Sequence, residues 1–243
     1  MLTKEELDRF DRNGFVRCGA IADSHGMDEV RSEVDMVLQE PGCSGQSTLH
    51  RHLDSRVICQ LCSHPAVVER VAALLGPDLL LWHSRIFDKP AGSGRVPWHQ
   101  DMPFWQIEPD TCVSAWIAID RADAGNGCVE VIPGSHRTKA PHVASEGTGR
   151  FRKTVDPAFV AEAAKVTIEL EPGEFILFDR WLVHGSPPNN SGRRRLGVAA
   201  RYIPPAVKVD YDQMSPQFPE LGVQVVRGAD TARRSRVAPP PPH

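Results

Sequence analysis

Between Leu79 and Ile203 the sequence is cut into short apolar or alternating runs by glycine, proline, asparagine and aspartate, at residues 79–88, 111–120, 127–132, 166–170, 174–178, 181–184 and 194–203. Runs of this length suit strands, and the residues between them are those that tight turns require. Helical patterns come first. Thr3 followed by Glu6 forms a capping box, with Leu7, Phe10 and Phe15 as the apolar face of an opening helix. Residues 27–40 carry Met27, Val30, Val34, Met36, Val37 and Leu38, spaced mostly at three or four, and the small, polar stretch 42–47 then reads as a loop. A third helix is expected over 65–75, opened by Pro65, striped by Val67, Val68, Val71, Leu74 and Leu75, and ended by Gly76-Pro77. The pattern predicts a mainly β chain with flanking helices: a double-stranded β-helix, or cupin-like jelly roll, with the helices on one outer face.

A chain of 243 residues buries one sizeable core, so residues 1–226 are read as a single domain. The segment from Arg227 to His243 carries four arginines and ends in Pro239-Pro240-Pro241-Pro242-His243, too polar and proline-rich to pack, and is expected to be extended or disordered. The balance of 28 basic and 31 acidic side chains, −3 overall, leaves no basic face for nucleic acid. The most apolar stretch, Val71 to Trp82, is interrupted by Gly76, Pro77 and Asp78 and falls short of the roughly 20 apolar residues that cross a bilayer. Met1-Leu2-Thr3-Lys4-Glu5-Glu6 lacks the basic start and apolar middle of a secretory signal, so no membrane partner and a cytoplasmic location are expected. The six cysteines (18, 43, 59, 62, 112 and 128) are read as small core residues; Cys59 and Cys62 form a CxxC with no second pair to complete a metal site. Nothing in the sequence specifies an oligomeric state.

His99-Gln100-Asp101 and His184 carry the chemistry. Two imidazoles and one carboxylate on one face of a metal leave positions free for a co-substrate and O₂, the arrangement of a non-haem Fe(II) oxygenase. A His and an Asp two apart on a strand would point to the same side, with a distant strand bringing the third ligand. The motif is common by chance: His52-Leu53-Asp54, flanked by Arg51 and Arg56, is a second copy, read as a solvated or capping segment. Context separates the two, because Val96, Pro97, Trp98, Phe104 and Trp105 surround His99 with the apolar and aromatic walls of a shielded pocket. A strand from Arg193 would place Arg193, Arg195, Gly197, Ala199 and Arg201 on one face, the small residues leaving room beside guanidinium groups suited to a dicarboxylate. Arg193 and Arg194 are read instead as a basic surface turn.

These segments resemble the phytanoyl-CoA dioxygenase family of iron(II)- and 2-oxoglutarate-dependent oxygenases: Leu2 through Val16, Trp98-His99-Gln100-Asp101, Asn126-Gly127-Cys128 through Pro133-Gly134-Ser135-His136, and His184-Gly185-Ser186 with Asn189, Ser191 and Arg195, in order over about residues 2–204. The resemblance implies His99, Asp101 and His184 as iron ligands. It implies Arg195, eleven positions after His184, as partner of the distal carboxylate of 2-oxoglutarate, with Ser186 supporting it. Trp116 matches a tryptophan of the co-substrate pocket in relatives, ordinary core packing being the alternative. His136 is read as closing a turn. Halogenating relatives replace the carboxylate ligand with a small residue, so Asp101 implies hydroxylation: a C–H bond of a small molecule is oxidised while 2-oxoglutarate and O₂ yield succinate and CO₂. Arg51, His83, Arg85, Phe87, Met102, Trp105 and Arg201 are expected to line the outer pocket, a cationic and aromatic set suited to an acidic or polar substrate. The rival readings are a non-catalytic metal- or small-molecule-binding jelly roll and a zinc-dependent cupin-type hydrolase or isomerase, neither of which gives Arg195 a task.

Overall fold

The structure is a computed structural model that describes residues 1–23, 25–40, 48–145, 153–160, 164–214 and 221–241. The expected loop at 42–47 and Cys43 lie outside the described residues. The helices are α1 (Lys4–Asn13), α2 (Asp28–Gln39), α3 (Arg56–Cys62), α4 (Pro65–Leu75) and α5 (Tyr211–Met214). The strands are β1 (Phe15–Cys18), β2 (Leu79–Lys89), β3 (Val96–His99), β4 (Ile107–Glu108), β5 (Val113–Ala118), β6 (Val129–Val131), β7 (His142–Ala144), β8 (Lys153–Val155), β9 (Val166–Ile168), β10 (Phe175–Asp179), β11 (His184–Ser186), β12 (Arg195–Ile203), β13 (Lys208–Val209) and β14 (Gln224–Arg227).

Two antiparallel sheets face each other, ordered β1-β10-β5-β12-β2-β14 and β3-β11-β6-β9, the architecture of a jelly roll. Alternation along the strands of the larger sheet separates two cores. Phe175, Leu177, Ala115, Ile117, Val198 and Ala200 pack outward against Val30, Val34 and Val37 of α2, Ile58 and Leu61 of α3, and Val67, Val68 and Val71 of α4. Ile176, Phe178, Trp116, Ala118 and Ala199 face the smaller sheet, meeting Val129, Val131 and Ile168. Valine disfavours a helix by up to about 0.7 kcal/mol per residue, whereas burying its side chain contributes about 1.5–3 kcal/mol, so packing decides that α2 and α4 are helical. No single described helix is long and apolar enough to cross a membrane; α3 and α4 together meet that length and composition, but they are bent by 47° at their junction and their apolar faces lie in the core.

Several expectations need correction. Phe15 belongs to β1, because α1 ends at Gly14, whose φ of +79° and N–H to Phe10 O (2.7 Å) close the helix. A Cβ on Gly14 would fall 2.5 Å from the His136 ring, which lies against the helix end and reaches Asp11 O at 3.1 Å. The stretch 181–184 is a turn whose last residue opens β11, with Leu182 N–H bonded to Asp179 O at 2.9 Å. The described chain beyond β14 is extended, one of the two expected forms, but it packs where packing was not expected: Val223 N–H bonds to Arg236 O and Ala238 N–H to Val223 O, both at 2.8 Å.

Candidate active site

β3 and β11 are neighbours in the smaller sheet, and their register sets His99 opposite His184. The ring centroids are 4.2 Å apart. Each Nδ1–H donates to a carbonyl two residues earlier, His99 to Pro97 O at 2.8 Å and His184 to Leu182 O at 2.9 Å, which leaves both Nε2 lone pairs for a ligand. Burial, with His99 alongside, pushes the His184 ring down to about 4, so it stays neutral as a metal ligand must.

Asp101 arrives by another route than the expected one. Only His99 is on β3; Asp101 has helical φ and ψ (−73°, −39°) and opens a 3-10 turn, Met102–Phe104. The turn, not the pleat of a strand, folds the carboxylate back, so that Oδ1 lies 3.6 Å from His99 Nε2 and 3.9 Å from His184 Nε2. Gln100, fully buried between His99 and Asp101, pins this turn: its side-chain amide donates to Thr138 O (2.8 Å) and Trp181 O (2.5 Å) and accepts from Ala140 N (3.0 Å). Met102 N–H is held by Arg180 O at 3.1 Å. Burial alone would raise the Asp101 carboxyl, but Arg201, 3.5 Å from Oδ2, and the two imidazoles hold it well below the usual carboxylate range.

A divalent cation fits this cluster. One ligand atom from each of the three residues lies within 4.8 Å of the others, and Asp101 Oδ2 is buried without a hydrogen-bond partner among the described residues. Two neutral nitrogens and a carboxylate oxygen are the donor set that suits Fe(II) with open positions.

Arg195 opens β12, is 4% exposed, and among the described residues makes no hydrogen bond or ion pair with a carboxylate. Burial draws it down to about 10, so it remains charged at neutral pH. Its guanidinium carbon stands 5.2 Å from the Trp116 ring centroid. Trp116 therefore belongs to the cavity wall as well as to the core between the sheets. Ser186 accepts a hydrogen bond from Lys89 Nζ at 2.9 Å, and Lys89 also donates to Gly94 O at 2.7 Å. Lys89 is the register partner of Arg195, and burial with Arg195 and Arg95 nearby pulls it down to about 8. Sequence reasoning missed Lys89. The signal was the β2 alternation, in which Arg85, Phe87 and Lys89 share a face once the strand is extended one residue past 88.

Arg195, Trp116 and Ser186, with His99, Asp101 and His184, border a cavity of about 180 Å³ that is also lined by His83, Arg85, Phe87, Phe104, Trp105 and Arg201, while Lys89 lies behind Ser186. Two expected lining residues are elsewhere. Arg51 pairs with Glu40 (3.2 Å) and Asp54 (3.0 Å) away from the cavity, and Met102 turns into the cluster of Trp82, Ile107 and Val207, because the 3-10 turn after Asp101 points it opposite to the carboxylate. The second HxD copy is split: His52 is fully buried with Nδ1 2.7 Å from Ser84 Oγ, so it is not solvated, while the Asp54 side chain is exposed beside Arg51. Arg193 and Arg194 pair at the surface with Asp123 (2.7 Å) and Asp120 (3.0 Å). Cys59 and Cys62 are free thiols, Cys59 donating to Gln224 Oε1 at 3.2 Å.

Comparison with known proteins agrees with this geometry. A probable phytanoyl-CoA dioxygenase of Caenorhabditis elegans is 29% identical over 160 residues, covering 61% of this chain and 51% of that protein. The peroxisomal phytanoyl-CoA dioxygenase of Rattus norvegicus is 30% identical over 149 residues, covering 58% and 44%. The chain thus spans about half the length of these curated relatives. The solved structure of a non-haem monooxygenase, ThoJ in its apo form, superposes with a TM-score of 0.80 at 25% identity, covering 96% of this chain and 87% of that one. The family model for phytanoyl-CoA dioxygenase (PhyH) matches residues 10–197, from α1 through the histidines, Asp101 and Arg195, and on that match the chain belongs to the phytanoyl-CoA dioxygenase family.

Proposed function

We propose that this protein is an iron(II)- and 2-oxoglutarate-dependent dioxygenase that hydroxylates a C–H bond of a small molecule. One observation carries the reading. A buried, charged Arg195 that has no carboxylate partner among the described residues shares a cavity with three residues able to hold a metal, and a dicarboxylate that chelates the metal at one end is the ligand that answers both. Iron(II) held by His99, Asp101 and His184 would supply O₂ activation coupled to oxidative decarboxylation of 2-oxoglutarate to succinate and CO₂. The protein's own contribution is geometry and charge. His99 and His184 present fixed Nε2 lone pairs, Asp101 remains ionised, and Arg195 with the Lys89–Ser186 pair receives the distal carboxylate. Trp116, Phe87, Phe178 and Val129 give the cavity apolar walls that exclude water from the reacting centre.

The fold and function of ThoJ, named a non-haem monooxygenase, support this reading over the binding-module and zinc-hydrolase alternatives, neither of which uses Arg195. We further propose a small polar or acidic substrate, neither nucleic acid nor membrane as partner, and a cytoplasmic location; the five described cysteines, all free thiols, suit a reducing compartment. The test is turnover without an added substrate. Protein given Fe(II), 2-oxoglutarate, ascorbate and O₂ is expected to release succinate above a protein-free control, and Asp101→Ala is expected to abolish the release. No succinate from wild-type protein with iron bound would contradict the proposal.

A further inference from the structure

β2 and β12 form one wall of the cavity in a register of Lys89 with Arg195, Phe87 with Gly197, Arg85 with Ala199 and His83 with Arg201. Six residues of extended strand separate Arg195 from Arg201, roughly 20 Å along the backbone, far more than a five-carbon diacid spans. The wall therefore has two cationic ends, of which 2-oxoglutarate engages one.

The Arg201 end is built for an acceptor. Arg201 is 5% exposed and stacks its guanidinium 5.1 Å from the Trp105 ring centroid. One terminal nitrogen lies 3.0 Å from His83 Nδ1, the other 3.5 Å from Asp101 Oδ2, and its buried Nε has no hydrogen-bond partner among the described residues. Arginine only donates, so His83 Nδ1 must accept, and the proton of this buried, neutral ring sits on Nε2. His83 is thus a second donor in the cavity lining, beside Arg85, whose guanidinium lies 5.0 Å from the Phe87 ring centroid. The described cavity lining contains one carboxylate, Asp101, whose Oδ1 faces the histidines and whose Oδ2 faces Arg201, against the three cations Arg85, Arg195 and Arg201.

We propose that Arg201, His83 and Arg85 form a second carboxylate subsite, which binds an acid group of the substrate and makes the substrate a small organic acid with an apolar body set against Phe87, Phe104 and Trp105. This rests on the oxygenase reading, which gives the Arg195 end to 2-oxoglutarate. An unpartnered buried N–H on a cation gains most from an anionic acceptor, since charge-assisted hydrogen bonds are about twice as strong as neutral ones.

The probes are two matched pairs, phenylacetate with phenylacetamide and hexanoate with hexanamide. Each is titrated anaerobically into full-length protein saturated with Fe(II) and 2-oxoglutarate, and followed by tryptophan fluorescence and calorimetry. Each acid is expected to bind at least tenfold more tightly than its amide. This ratio, measured within one protein and so insensitive to a general loss of affinity, is expected to fall below threefold in Arg201→Met and to be kept in Arg201→Lys. Arg85→Met, which does not touch Asp101, is the second variant should Arg201→Met fail to fold, with the same expected fall. Amides binding as tightly as acids, no binding by any probe, or a ratio that survives the methionine variants would overturn the subsite. Failure of the oxygenase reading is separate: it shows as no visible iron–2-oxoglutarate band in the wild type before any probe is added.

Discussion

Gly197 lies directly beneath Trp116: a Cβ at residue 197 would fall 2.2 Å from Cζ2 of the indole. The indole can stand beside Arg195 because the strand has no side chain there. Gly197→Ala must displace Trp116, and overpacking of this kind costs about 1–3 kcal/mol. The variant is expected to lose stability by that order in a urea titration and to bind 2-oxoglutarate at least tenfold more weakly. Unchanged co-substrate affinity would mean that Trp116 has no part in that end of the cavity.

On the proposed function, Lys89 would tie 2-oxoglutarate binding to pH through Ser186. Its ammonium is drawn down to about 8 by burial and by Arg195, so it is charged at pH 7 and loses its proton as pH rises through 8. The KM for 2-oxoglutarate is expected to climb between pH 7 and 9 in the wild type. In Lys89→Met it should be raised several-fold and flat over the same range. A parallel climb in the variant would assign the titration to another group.

Gln100 holds both flanks of the turn that presents Asp101, and its donors face two carbonyls. Gln100→Glu keeps the shape but not the donors. Outer-shell partners of metal ligands are typically worth 10–100-fold in affinity, and a loss in that range is expected when Mn(II) binding is followed by paramagnetic resonance. Affinity within twofold of the wild type would show that the turn holds without the amide.

His50 and His52 are buried and neutral, pushed down to about 4 and about 3, by burial first and then by Arg201 for His50 and by His50 for His52. In the unfolded chain both regain a pKa near 6.5, so below that pH the unfolded state binds more protons and stability falls as pH falls towards 4. Each histidine contributes a slope approaching about 1.4 kcal/mol per pH unit in that window. His52→Gln should flatten the pH dependence of urea stability between pH 6 and 4 by one such increment, and an unaltered slope would contradict the assignment.

The seven expected strands correspond to β2, β5, β6, β9, β10 and β12, with one misplaced at 181–184, because alternation with turn punctuation survives wherever one strand face is buried. β3 is expected only from the HxD motif and not from alternation, since Pro97 interrupts its pattern; the proline is tolerated because β3 is an edge strand. α3 is only seven residues long, too short for a periodic signal, and is recognisable only by Ser55, whose side chain caps Ile58 N–H. The metal residues were legible as a motif, but the conformation that unites them was not. Asp101 reaches the histidines through a turn pinned by Gln100, and nothing in the spacing HxD distinguishes that turn from a strand. Lys89 and the tautomer of His83 depend on register between β2 and β12, which alternation alone does not set.

The central claim is that His99, Asp101, His184 and Arg195 together receive iron and 2-oxoglutarate. Its most direct test is an anaerobic titration of the wild type and of Arg195→Ala with Fe(II) and 2-oxoglutarate, followed by the weak visible charge-transfer band of the chelate. A band in the wild type, and a 2-oxoglutarate Kd at least tenfold higher in the variant, is the predicted result. A wild type that binds iron yet gives no band, or a variant that titrates identically, would contradict the account.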